Sequence, residues 1–248
     1  MNSALSPRLR MFAGPNGSGK STIKSVVGTQ LLGFYINPDE MEAEIRRQGF
    51  LDFHPFSIQT THKEVLAFFS NSTLLKKASL SDKVSSLEFE GSCLHFKNIE
   101  INAYFASVAA DFIRQKLIEN NSPFTFETVM SSEDKIELLQ YAKLKGYRTY
   151  LYYVATEDPE INISRVKHRV KMGGHPVPED KIISRYGRSL ELLIEAVKLS
   201  DRAYIFDNSG HEHVWLAEVT EGKILEMKVD SMPMWFKNSL WDKFLKKP

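Results

Sequence analysis

The sequence predicts an α/β fold: a parallel sheet of about five strands with helices on both faces, a segment inserted after the second strand, and a C-terminal hairpin. Three observations carry this. Apolar strand-like runs alternate with amphipathic helical runs along most of the 248 residues. A glycine-rich turn, GPNGSGKS at 14–21, stands where the first strand ends and the first helix begins. Between residues 50 and 100 the alternation gives way to period-two patterning around Gly91-Ser92, which reads as an inserted hairpin.

The strands are expected at RLRMFAG (8–14), GFYIN (33–37), FTFETV (124–129), RTYLYYVA (148–155) and AYIFDN (203–208). Ile101, Tyr104, Phe105, Val108, Phe112 and Ile113 fall on one face of a helix where the alternation resumes. Ser131 and Asp134 are spaced as a capping box for the next helix, and Gly146 closes it. Asp158-Pro159 opens a further helix that Gly173-Gly174 stops, and Pro178 opens another, with Ile182, Ile183, Tyr186, Leu190, Leu193 and Ile194 as its buried stripe. VWLAEV and KILEMKV flank the turn TEG as an antiparallel hairpin, and Trp235, Phe236, Leu240, Trp241 and Phe244 recur at helical spacing behind it. Residues 1–248 read as a single domain, with 51–99 inserted, on the substrate side, and 165–190 a lid-like helical region.

Lys and Arg total 32 against 31 Asp and Glu, so overall charge recommends neither nucleic acid nor an anionic membrane as a partner. The single cysteine, Cys93, excludes an internal disulfide and suits a reducing compartment, read as cytoplasm. No apolar run approaches the about 18 residues of a membrane span, and the first motif comes too early for a cleavable signal peptide.

Gly14, Pro15, Asn16, Gly17, Ser18, Gly19, Lys20 and Ser21 match the phosphate-loop pattern G-x-x-x-x-G-K-[ST], followed by Thr22. Glycines let backbone N–H groups curl round phosphate oxygens, and the following helix adds its positive end. Lys20 is expected at the β and γ phosphates and the Ser21 hydroxyl on Mg²⁺. No N-K-x-D guanine signature occurs, which favours ATP over GTP. Asp39, in YINPDE, follows Pro38 just past a strand end, unlike the carboxylate pair of a motor protein, which runs directly from the strand. It is a candidate for an acceptor-side or metal-side carboxylate, or for the N-cap of the next helix. Glu127 and Thr128 end another strand, facing the metal or a substrate hydroxyl. Arg165 and Arg169 on one helix, and Lys181, Arg185 and Arg188 on the next, supply the positive charge that phosphoryl transfer needs.

In order and spacing, GPNGSGKST, YINPDE, FTFETV, INISRVKHRV, GGHPVPEDKIISRYGRS and YIFDNS resemble the zeta toxin family of P-loop kinases, over residues 8–50 and 100–210. The resemblance implies a kinase that phosphorylates a hydroxyl of a UDP-N-acetyl amino sugar with ATP and Mg²⁺, with an antitoxin protein as a partner. It also implies roles: Lys20 on the ATP phosphates, Ser21 on magnesium, Asp39 as the general base, and Glu127 and Thr128 on the substrate. Arg165, with one of Arg185 or Arg188, would meet the γ-phosphate, and Asn208 would lie on the adenine side. The family's more common turn is richer in aspartate than NPDE.

Overall fold

A computed structural model describes residues 6–246. The chain divides into two compact units, one from residues 1–33 and 125–248, the other Phe34–Phe124.

The first unit is built on strands β1 (Arg8–Ala13), β6 (Phe124–Thr128), β7 (Arg148–Ala155), β8 (Arg202–Asp207), β9 (Val214–Thr220) and β10 (Ile224–Met227), numbered along the chain. Their order in the sheet is β10-β9-β8-β7-β1-β6. β1 pairs with β7 and β7 with β8, both in parallel, while β8, β9 and β10 pair antiparallel. The fold is therefore α/β with a largely parallel sheet and an antiparallel C-terminal hairpin, as the sequence predicts. Parallel register puts the ends of β1, β7 and β8 at one sheet edge, where open α/β sheets place their ligands.

Helices cover both faces. On one, Ile23 of α1 (Lys20–Ser25) packs with Phe12 and Val154. On the other, the hydroxyl of Tyr153 lies 3.0 Å from that of Ser189 in α8 (Glu179–Glu191). Neighbouring residues of a strand point to opposite faces, so Tyr153 and Val154 serve the two layers. Three further helices, α6 (Asp134–Leu144), α7 (Pro159–Lys171) and α9 (Leu193–Leu199), complete the unit's core. Met234–Phe236 continues through a π turn, Lys237–Trp241, into Asp242–Leu245, burying Trp235, Phe236 and Leu240.

Local signals mostly hold. The Asp158 side chain caps α7 and Pro159 occupies its first turn. Gly146, at φ 81°, follows α6. The predicted capping box is absent: α6 begins at Asp134 after Glu133, with no side-chain cap, and Ser132 bonds the Asp134 carboxylate instead. An aspartate held by a neighbouring hydroxyl beside the helix start is the local competition such residues offer the backbone. Ile183 also departs from its predicted stripe, standing exposed one position round from buried Ile182.

The second unit holds β2 (Phe34–Ile36), α2 (Pro38–Gln48), β3 (Phe50–Asp52), α3 (His62–Asn71), α4 (Thr73–Lys77), β4 (Leu87–Glu90), β5 (Cys93–Phe96) and α5 (Ala103–Glu119). The β4–β5 hairpin forms where predicted, but β3 joins it as a third strand in the order β3-β5-β4. Three strands with an apolar face can persist where a lone hairpin is marginal. Phe53, Phe69, Phe105 and Phe112 are buried and in ring contact with aromatic neighbours. Tyr104 is an exception to the predicted face of α5, at 40% exposed. Among the described residues no helix is long and apolar enough to cross a membrane.

Candidate functional site

The phosphate loop forms at the end of β1. Gly14 has φ 139°, and a Cβ there would lie 2.0 Å from the backbone oxygen of Val154, so only glycine lets the chain leave β1 this close to β7. The Lys20 ammonium donates to the carbonyls of Gly14 and Pro15, both at 2.9 Å, which holds its charge over the loop. The helix that follows is only six residues long, so the loop's own amides, more than a helix dipole, make the cradle.

Two side chains from distant elements grip the loop from outside. Asn162 of α7, buried, donates its amide to the Asn16 carbonyl at 2.6 Å, and its amide oxygen accepts from Thr156. Asn208, just past β8, donates to the Ser18 carbonyl at 2.8 Å. Asn16 Oδ1 and Ser18 Oγ are buried with no hydrogen-bond partner. Buried polar atoms are seldom left so, and a bound polar group beside them would satisfy them. The loop thus fits an oxyanion ligand in its glycine geometry and in the Ser18 hydroxyl, which can donate to it, whereas Asn16 Oδ1 accepts and calls for a donor.

Beside the loop, the Ser21 hydroxyl donates to a Glu127 carboxylate oxygen at 3.3 Å, and Lys24 lies 3.6 Å from the other oxygen. Glu127 is 9% exposed, a carboxylate held at the strand end by a hydroxyl and an ammonium. Thr128 accepts from the backbone N–H of Met130, stabilising the turn that leaves β6.

Arg165 is half-buried, and its guanidinium donates to the carbonyls of Asn208 at 2.7 Å and Gly210 at 3.2 Å. Arg169 donates to the His175 carbonyl and so ties the loop between α7 and α8. That loop is also clasped by an exposed ion pair of Lys167 and Glu179 at 2.7 Å. The helices meet through Ile163, Val166 and Ile182. Arg185 is half-buried and Arg188 exposed on α8. The Tyr186 hydroxyl donates to the Thr156 carbonyl at 2.6 Å, and burial pushes its pKa well above the usual tyrosine value.

In the second unit, Asp39 is exposed in the first turn of α2. The Asn37 side chain caps that helix by accepting from the Asp39 N–H at 3.0 Å, so the Asp39 carboxylate is not the cap. Glu40 shares the same turn.

The structure brings together Lys20, Ser21 and Glu127, and links Arg165, Asn208 and Ser18. Asn162 and Lys24 were not legible as site residues. Asn162 sits between Ile161 and Ile163 and reads only as helix, and Lys24 reads as a solvated charge one turn past Lys20.

A sequence model described as Zeta toxin matches residues 97–220, half of the chain. An uncharacterized protein of Haemophilus influenzae is 36% identical over 69 residues, 28% of this chain and 49% of that protein. The crystal structure of AvrRxo1-ORF1:-ORF2 with ATP is similar with a TM-score of 0.53 and 14% identity, covering 96% of this chain and 63% of that one. The AvrRxo1-ORF1:AvrRxo1-ORF2 structure with sulphate ions gives the same TM-score at 15% identity. The chain thus spans about half the length of the curated relative and under two thirds of these structures. At such identities the structural likeness is one of fold.

Proposed function

The chain belongs to the zeta toxin family, and from that premise we propose that it is an ATP-dependent kinase that transfers the γ-phosphoryl group to a hydroxyl of a small molecule, a UDP-N-acetyl amino sugar. The observation that carries this reading is the Lys20, Ser21 and Glu127 cluster on a loop that also holds the buried, unpartnered hydroxyl of Ser18. Phosphoryl transfer asks a protein for positioning and for positive charge where negative charge shifts. Lys20 supplies charge over the loop, and the loop amides orient the phosphates. Arg185 or Arg188 on α8 would meet the transferring group.

Ser21 and Glu127 offer hard oxygen donors of the kind Mg²⁺ takes, and they are the residues that would hold it. A bound Mg²⁺ would neutralise phosphate charge and fix the triphosphate's geometry. Asp39 is proposed as the base that orients the acceptor hydroxyl and takes its proton. Its support is the family motif together with Asn37 filling the cap position, which leaves the Asp39 carboxylate for chemistry. Thr128 is proposed on the acceptor side, again from the family. An antitoxin protein as partner, and a place in the cytoplasm, are proposed on the same ground.

The test is ATP consumption by the full chain over a panel of UDP-sugars and other hydroxylated metabolites, with product masses measured. The expected result is a UDP-amino sugar heavier by one phosphoryl group. Turnover of ATP with no phosphorylated acceptor on the panel would overturn the reading.

A further inference from the structure

Arg165 is expected, by resemblance, on the γ-phosphate. Its geometry assigns it a different task. We infer that Arg165 is a positioning residue that fixes the phosphate loop from behind, through Asn208. This rests on the nucleotide reading of the loop and changes one residue's place within it.

A trans peptide holds its C=O and N–H in one plane and pointing in opposite directions. The Ser18 carbonyl accepts from the Asn208 amide at 2.8 Å, so the Gly19 N–H of the same peptide points the opposite way, away from that amide. The packing there is close. A Cβ on Gly19, whose φ is 95°, would stand 2.1 Å from Asn208 Nδ2, which occupies the space a side chain would need. Asn162 does the same for the Asn16 carbonyl and hence for the Gly17 N–H. The two carboxamides therefore aim loop amides before any phosphate arrives, which is preorganisation in its ordinary sense.

Asn208 can do this only if its own backbone is fixed. Its N–H is bound by the Ala155 carbonyl at 2.8 Å, at the end of β7. Its carbonyl is bound by Arg165, whose second nitrogen takes the Gly210 carbonyl, so that the planar fork spans the turn after β8. A lysine could not span both acceptors in one plane. With both terminal nitrogens on backbone carbonyls, the guanidinium faces the β8 turn.

The experiment measures ADP and a non-hydrolysable ATP analogue binding to the full chain by calorimetry. Arg165→Ala and Asn208→Ala are each expected to weaken both nucleotides by the same factor, about tenfold, the loss typical of one charge-assisted or buried hydrogen bond. The double variant is expected to lose little more than either single, because Arg165 acts on the Ser18 carbonyl only through Asn208. Arg165→Lys carries the same expectation should Arg165→Ala fail to fold. A loss confined to the ATP analogue would return Arg165 to the γ-phosphate, and losses that add in the double variant would break the relay. Either outcome overturns the inference and leaves nucleotide binding intact. Wild-type protein that binds neither nucleotide would instead overturn the nucleotide reading, and the inference with it.

Discussion

The Ser21 hydroxyl donates to the Glu127 carboxylate at 3.3 Å, joining the last residue of the phosphate loop to the end of the strand beside β1. Family resemblance places Glu127 with the substrate, and Ser21 and Lys24 are among its neighbours. Glu127→Gln keeps the shape and removes the charge. The expected outcome is about a tenfold rise in the Mg²⁺ concentration needed for half-maximal nucleotide binding, on the scale of one charge-assisted contact. A magnesium titration of binding checks it, and an unchanged midpoint with a raised KM for the acceptor would return Glu127 to the substrate side.

Asp39 gives a second prediction. A general base contributes on the order of 10² to 10⁴ in rate, so Asp39→Ala should lose phosphorylation by that factor. Nucleotide affinity should stay within about twofold of wild type, because surface changes away from packed features have small effects. Parallel measurement of product formation and ADP binding separates the roles, since lost ADP binding would make Asp39 a nucleotide-side residue.

Gly14→Ala tests the exit from β1. The added Cβ would sit 2.0 Å from the Val154 oxygen at a φ of 139°, where neither strand has a flexible group to yield. The expected destabilisation is about 3 kcal/mol or more, combining a strained backbone conformation with an overpacked contact. Thermal or denaturant unfolding measures it, and a melting temperature matching wild type would show that β1 and β7 can separate locally.

Alkaline pH gives the fourth. Burial raises the pKa of Tyr153 and of Tyr186 above the ordinary 10.0. Above pH 10 the unfolded chain therefore binds fewer protons at these sites than the folded one, and stability falls as pH rises. Below that pH both states hold the protons and the two tyrosines give no pH dependence. Unfolding free energy followed from pH 8 to 11 should be flat and then decline. Tyr153→Phe should shallow that decline, although it also removes the contact with Ser189.

Local chemistry was legible in advance. Asp158-Pro159 opening α7, Gly146 after α6 and the β9–β10 hairpin depend on residues within a few positions of one another, and they form as read. The capping box before α6 failed because Ser132 competed for Asp134, a choice among neighbours that spacing alone does not rank. β3 was missed because three residues, Phe50–Asp52, are too few for periodicity to register.

By itself the sequence determined the α/β alternation, the phosphate loop and the residue types available to it, because hydrophobic period and backbone permissiveness are properties of short stretches. The tertiary structure decided which groups the loop meets. Ser21 finds Glu127 across 106 positions, Asn16 finds Asn162 across 146, and Ser18 finds Asn208 across 190. Those pairings follow from the strand order of the sheet and from where α7 packs after β7. They turned Arg165 from a charge on a helix into the brace of a turn, since a guanidinium's role is set by the acceptors that packing brings within reach.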